Sequence, residues 1–317
     1  MSCSFEPLFR NPHLQTIAAH YWKRPSVAGI ATGRRYFQTE PGVQVLVESQ
    51  RPPGECRGEI VMVHGLEGSG EAGYMRGLSA AALKAGFAAH RFHMRTCGGT
   101  EHLCHTLYHA GLTSDLLAVL RAFRAEGRSP AHLVGFSLGG NVVLKLAGEL
   151  ADDSSQLISS VCGASTPLDL AACADRIHQP DNRLYERRFV RRMRARLCAT
   201  GRYRKSDFHG LDSVIGIDDR ITAPSFGFGN AANYYRTQSA IGYLDRIRVP
   251  VLLIQSKDDT LVPFAIFQSE AVAANPCIRL IATDHGGHLG FLAKGKDRFW
   301  LDRTIVSWIV ARDAVPA

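Results

Sequence analysis

The densest chemistry in this 317-residue chain is the run Gly135-Phe136-Ser137-Leu138-Gly139, followed by Gly140 and Asn141. A serine flanked by glycines two residues away on each side suits a turn too tight for larger side chains. An apolar stretch, His132–Phe136, precedes it. A helical pattern follows, with Val142, Leu146 and Leu150 at four-residue steps. Ser137 is therefore expected on a strand-to-helix elbow, where its hydroxyl is presented as a nucleophile. A hydroxyl is a weak nucleophile until a base takes its proton, and the base needs an acid to orient it.

On such an elbow the partners follow in the order serine, acid, histidine. The apolar strand Val251–Gln255 ends at Asp258-Asp259, and the next strand runs into Thr283-Asp284-His285-Gly286-Gly287-His288-Leu289-Gly290-Phe291. His288 is preferred to His285 as the base, because two glycines before it free the loop and Leu289–Phe291 can anchor it. Asp259 is preferred as the acid, with Asp258 one residue out of frame and Asp169 a third candidate. Acyl transfer also needs two N–H groups aimed at the developing oxyanion. One is expected from Leu138, the residue after the nucleophile. The other is expected from Leu66, after the glycine of His64-Gly65-Leu66-Glu67-Gly68-Ser69. His64 is read as holding that loop, which lacks the Lys-Ser/Thr of a phosphate-binding P-loop.

Those residues must be carried by a sheet. Candidate strands are 35–39, 43–49, 59–63, 88–94, 132–136, 158–163, 251–255 and 278–282, separated by helical patterns such as Leu112, Leu116, Leu120 and Phe123. Trp300, Ile305, Trp308 and Ile309 suggest a last helix. Buried strands alternating with crossover helices imply a mostly parallel sheet, opened by an antiparallel hairpin because the first two runs lie too close for a crossover. The alternation breaks between Thr166 and Arg246. The expected organisation is a core from residues 1–165 and 247–317, with a helical cap at 166–246 over the ligand-binding edge.

Composition is that of an ordinary soluble globular chain, 45% apolar and 21% charged. No stretch reaches the ~20 apolar residues of a membrane span, and no secretory signal is read at the start, so a cytoplasmic chain is expected. The eight cysteines form no C-x-x-C pair and are expected reduced and mostly buried, and no metal site is expected at Cys104-His105. The net charge of +8 is local: residues 183–205 hold ten Lys/Arg against Glu186, leaving the rest one unit negative. Within that segment Tyr185, Phe189 and Met193 recur at steps of four, with Val190 and Leu197 alongside. This cationic amphipathic helix either turns its apolar stripe to the site with solvated arginines, or draws the cap to anionic lipid headgroups. No nucleic-acid module accompanies the charge.

With those residues in hand, the chain resembles the α/β-hydrolase fold, and within it the YheT-like family of predicted esterases. The resemblance rests on Phe9-Arg10-Asn11-Pro12-His13-Leu14-Gln15-Thr16, the His64–Ser69 loop, the elbow, Asp258-Asp259 and Gly287–Phe291. A further block, Arg95-Thr96-Cys97-Gly98-Gly99 through Tyr108-His109-Ala110-Gly111 and Asp115, is similar to the family's, with R-T-C where R-G-C is usual. The resemblance implies an α/β-hydrolase fold with a cap inserted after the sixth strand. It also implies carboxylic-ester hydrolysis without a cofactor, on an acyl ester or lipid substrate. In many hydrolases the acid is the Asp of a D-x-x-V-P turn, and Asp259–Pro263 fits that frame. The alternatives are a thioesterase and a catalytically silent protein that binds lipid or a partner on the same scaffold.

Overall fold

The computed structural model describes residues 5–25 and 29–313, so Cys3 lies outside the described residues. Eight strands form one sheet: β1 Gly33–Glu40, β2 Val43–Gln50, β3 Glu59–Val63, β4 Ala88–Phe92, β5 Ala131–Phe136, β6 Ile158–Ala164, β7 Val251–Ser256 and β8 Ile278–Thr283. Their spatial order is β1-β2-β4-β3-β5-β6-β7-β8. β1 pairs antiparallel with β2, and β2 with β4, while every later neighbour is parallel. The hairpin and the parallel sheet are those the sequence pattern calls for. The fourth strand stops two residues before its expected end. Its continuation is drawn off the ladder, where the Met94 N–H donates to the buried ring of His64.

Helices cover both faces of the sheet: α1 Pro12–Tyr21, α2 Gly73–Lys84, α3 Ser114–Ala125, α4 Leu138–Leu150, α10 Glu270–Ala273 and α11 Trp300–Asp313. Strand periodicity explains the two layers, since successive side chains point to opposite faces. In β5, Leu133 packs with Leu116, Leu120 and Val143 of α3 and α4. Its neighbours Val134 and Phe136 pack on the other side with Met75 and Leu78 of α2 and with Trp300 and Ile305 of α11. Each such aliphatic side chain, taken fully out of water, contributes about 1.5–3 kcal/mol.

Between β6 and β7 the described chain is helical only: α5 Leu170–Ile177, α6 Arg183–Ala199, α7 Val214–Ile217, a π-helical turn Asp218–Thr222, α8 Ala223–Ser225 and α9 Ala231–Gln238. This insertion has its own small cores. Val190, Met193 and Leu197 of α6 pack on Phe208 and Ile217. Leu170 and Ala174 of α5 pack on Tyr234 and Tyr235. It stands at the edge where β3, β5 and β7 end, and contributes walls to the cavity described next. No helix among the described residues is long and apolar enough to cross a membrane.

Candidate active site

Ser137 joins β5 to α4 at φ 51° and ψ −122°, a strained conformation for a residue with a side chain. The turn closes only with glycines on both sides. A Cβ on Gly135 would strike the Gly139 carbonyl, and one on Gly139 would strike the Val63 carbonyl at the end of β3. Both obstacles are backbone, which cannot swing aside.

The expected residues meet at this elbow. His288 Nε2 lies 2.9 Å from Ser137 Oγ. Its Nδ1 lies 3.0 Å from Asp259 Oδ2 and 3.2 Å from Oδ1. An ionised carboxylate only accepts, so Nδ1 carries the proton and Nε2 is left free to accept from the serine. The Asp259 carboxylate is buried and held from several sides. Its Oδ1 accepts the N–H groups of Leu261 and Val262 at 2.9 and 3.0 Å, and Gln255 Nε2 donates to Oδ2 at 3.2 Å. Asp258 points elsewhere, accepting from the Gly287 N–H at 2.9 Å and meeting His285 Nδ1 at 3.1 Å. Lys257 pairs with Asp284 at 2.7 Å. Asp169 caps α5 through the Ala172 N–H.

The glycines before His288 serve close packing more than freedom. Gly287, at φ 57°, lies so near the first turn of α1 that a Cβ would strike Thr16 Oγ1 and the Pro12 carbonyl. That contact lets the His288 N–H donate to Thr16 Oγ1 at 2.9 Å. The N-terminal motif around Pro12 and Thr16 is therefore the platform of the histidine loop.

The second loop is braced as its residue types suggest. Burial pushes the His64 imidazole down to about 3, so the ring is neutral. Its Nδ1 donates to the Gly65 carbonyl at 2.8 Å, and its Nε2 accepts from Met94. The Gly65 N–H donates to Tyr74 Oη at 3.1 Å. Leu66 and Leu138 border the same cavity as Ser137, and Leu138 opens α4, where N–H groups lack partners within the helix.

That cavity encloses about 750 Å³, part of it open to solvent, with an apolar wall that includes Leu170, Ala174, Phe189 and Met193. Three polar features in it escaped the sequence reading. The first corrects the picture of solvated cap arginines. Arg196 is buried, with Nε 2.9 and 3.0 Å from the two carboxylate oxygens of Glu67 and Nη1 2.9 Å from Thr96 Oγ1. Its guanidinium lies 4.6 Å from the ring centre of Tyr108, whose hydroxyl donates to Glu67. Burial works against the guanidinium's charge, yet Glu67 and its neighbours hold its pKa above the ordinary value. Thr96 and Glu67 both sit at positive φ, and Thr96 replaces the glycine of the usual R-G-C. The signal was in the spacing: Phe189, Met193 and Arg196 follow i, i+4, i+7, the buried stripe.

The second feature is Asp218, in the π-helical turn. It accepts from Tyr235 Oη at 2.7 Å, and burial pushes its carboxyl up to about 6. The third is His109, packed edge-to-face against Phe226, Phe228 and Tyr234 and pushed by burial down to about 3. Asp218 lies in no pattern that separates it from ordinary positions, and His109 stands in the Tyr108–Gly111 block without a role read for it. Cys104 and His105 bond the carbonyls of Gln44 and Gly42.

A strand-elbow-helix serine, a histidine loop after the last strand and a helical insertion after the sixth define a class. The chain belongs to the alpha/beta hydrolase family, which it matches over residues 60–299. Within that family it is YheT-like, being 32% identical to "Putative esterase YheT" of Escherichia coli (strain K12) over 97% of this chain and 93% of that one. It is also 26% identical to a monoacylglycerol lipase of Saccharomyces cerevisiae, over 84% of this chain and 61% of the relative. Among solved structures, the Pyrococcus furiosus esterase Pf2001 shares the fold at TM-score 0.61 and 19% identity, over 92% of this chain and 96% of that one. The chain is thus an esterase- and lipase-like hydrolase.

Proposed function

We propose that the chain hydrolyses carboxylic esters through a covalent acyl-serine. The observation that carries this reading is the unbroken line from Asp259 through His288 to Ser137 Oγ, opening on an apolar cavity. His288 Nε2 takes the Ser137 proton as Oγ bonds to the ester carbonyl carbon. The carbonyl oxygen becomes an oxyanion held by the amides of Leu66 and Leu138. When the tetrahedral species collapses, the carbon–oxygen bond to the alcohol breaks and His288 returns its proton to that alcohol. Water then repeats the sequence on the acyl-serine, releasing the acid. Asp259 orients the imidazole and stabilises its charged form.

The insertion acts as the cap, and its apolar wall takes the acyl chain, in keeping with relatives named as esterases and a monoacylglycerol lipase. Fluorophosphonate labelling tests the reading directly. Wild type should label, and Ser137→Ala should not while remaining folded. A folded wild type that resists the probe refutes it. p-Nitrophenyl esters of increasing chain length then measure how much acyl chain the cavity accepts.

A further inference from the structure

Seven large apolar side chains stand exposed among the described residues, and six gather in one place: Phe9, Leu14, Ile17, Tyr21 and Trp22 on or beside α1, and Leu184 at the start of α6. α1 is inverted relative to an ordinary amphipathic helix. Its buried residues are Gln15 and Ala19, with Gln15 Nε2 donating to the Leu292 carbonyl at 2.7 Å, while Leu14 is 55%, Ile17 46% and Tyr21 72% exposed. At about 100° per residue those three fall within about 60° of one another, on the face away from Gln15. Exposed apolar clusters of this kind mark a contact surface.

The first half of α6 lies beside this face, against His13 and His20. His13 stacks on Tyr185 at 5.7 Å between ring centres, and Arg188 reaches His20 Nε2 at 2.8 Å. α6 presents Arg183, Arg187, Arg191 and Arg192 to solvent, and none of the four forms an ion pair among the described residues. The nearby acids do not cancel them. Asp181 is held by two bonds from Arg176, and Glu186 is buried under His178 and the Val214 N–H. An apolar patch rimmed by free arginines fits a surface that is itself apolar beneath a negatively charged face.

We propose that α1 and the outer face of α6 form one docking surface for an anionic phospholipid bilayer, α1 supplying the apolar insertion and α6 the charge. The surface adjoins the site through both helices. Thr16 of α1 holds the His288 backbone, and Phe189 and Met193, on the inner side of α6, line the cavity. A docked molecule thus has its cavity beside the lipid phase. The proposal concerns binding and stands whether or not the ester chemistry is correct.

The test is co-sedimentation of the full chain with phosphatidylcholine vesicles, with and without phosphatidylglycerol, at low salt. Wild type should pellet with the anionic vesicles and stay in solution with the neutral ones. Arg187→Gln with Arg191→Gln should weaken binding about 25-fold, about fivefold for each charge near the surface. Leu14→Ser, Ile17→Ser and Tyr21→Ser together should weaken it at least tenfold. Equal binding to both vesicles overturns the proposal, as does no binding at all. Undiminished binding of the serine variant also overturns it, since that is adsorption by charge alone. A wild-type dimer in size-exclusion chromatography that the serine variant dissociates would assign the patch to a second copy of this chain.

Discussion

Replacing Arg196 by methionine removes the one cap arginine that is buried against the core. The wild-type pair has side-chain exposures of 9% for Arg196 and 3% for Glu67. Methionine keeps much of the length and none of the charge. Glu67 then stays buried with, among the described residues, the Tyr108 hydroxyl as its one remaining donor, 3.1 Å away. Breaking a buried pair from one side costs about 3–5 kcal/mol, and the surviving tyrosine bond argues for the lower figure, about 3 kcal/mol. Glu67→Gln leaves the cation buried instead and should cost a similar amount. The double variant leaves neither charge stranded, so it should fall well short of the sum of the two, with a coupling of at least about 2 kcal/mol. Urea unfolding of the four proteins measures the cycle. Turnover adds a second reading, because Glu67 follows Leu66 directly at φ 54°. If the loop slackens, kcat should fall by up to about 10²–10³, the worth of one oxyanion donor. Additive effects in the cycle, or a single variant costing under about 1 kcal/mol, would mean that Arg196 and Glu67 are not a coupled buried pair.

Further consequences are open to measurement. Asp259→Asn should lower kcat on the order of 10⁴ by setting the wrong histidine tautomer, and His288→Ala should be comparably severe. Asp258→Asn should be far milder, because its partners are the Gly287 N–H and His285; equal losses at 258 and 259 would overturn the assignment. Asp218 titrates near 6 in the fold against about 3.9 unfolded, so its raised value favours folding at low pH. That contribution is fully present below about pH 4 and is lost as pH rises through about 6, on the order of 3 kcal/mol. Asp218→Asn can still accept from Tyr235, and its urea midpoint should lose this component of the pH dependence; an unchanged pH profile counts against it. Gly139→Ala should destabilise by at least about 3 kcal/mol or fail to fold, since the added Cβ meets the Val63 carbonyl; a melting curve like that of wild type would contradict this.

Much of the molecule is legible in local pattern. Short apolar runs between helical spacings mark β3 and β5 to within a residue of their observed ends, because both faces of each strand are buried under helices. Ser137, His288 and the loop of Leu66 are also legible, since an elbow, a glycine-flanked loop histidine and an HG-x turn have steric demands that few residue types meet. The choice between Asp258 and Asp259 was readable only as a frame. In the fold the turn's own N–H groups, those of Leu261 and Val262, capture Asp259, whose other oxygen faces His288.

Local pattern is enough for the order of the elements, the elbow and the candidate residues around it. Burial was set by the fold: of the nine arginines in the basic segment it is Arg196 whose side chain is packed away while others stay exposed, and α1 turns its leucine and isoleucine outward. The physical reason is the same for both. Spacing along a helix says which side chains share a face, but burial depends on what the rest of the chain brings against that face. For Arg196 that is Glu67 and Tyr108 from the core, and for Gln15 it is the carbonyl of Leu292, 277 residues away.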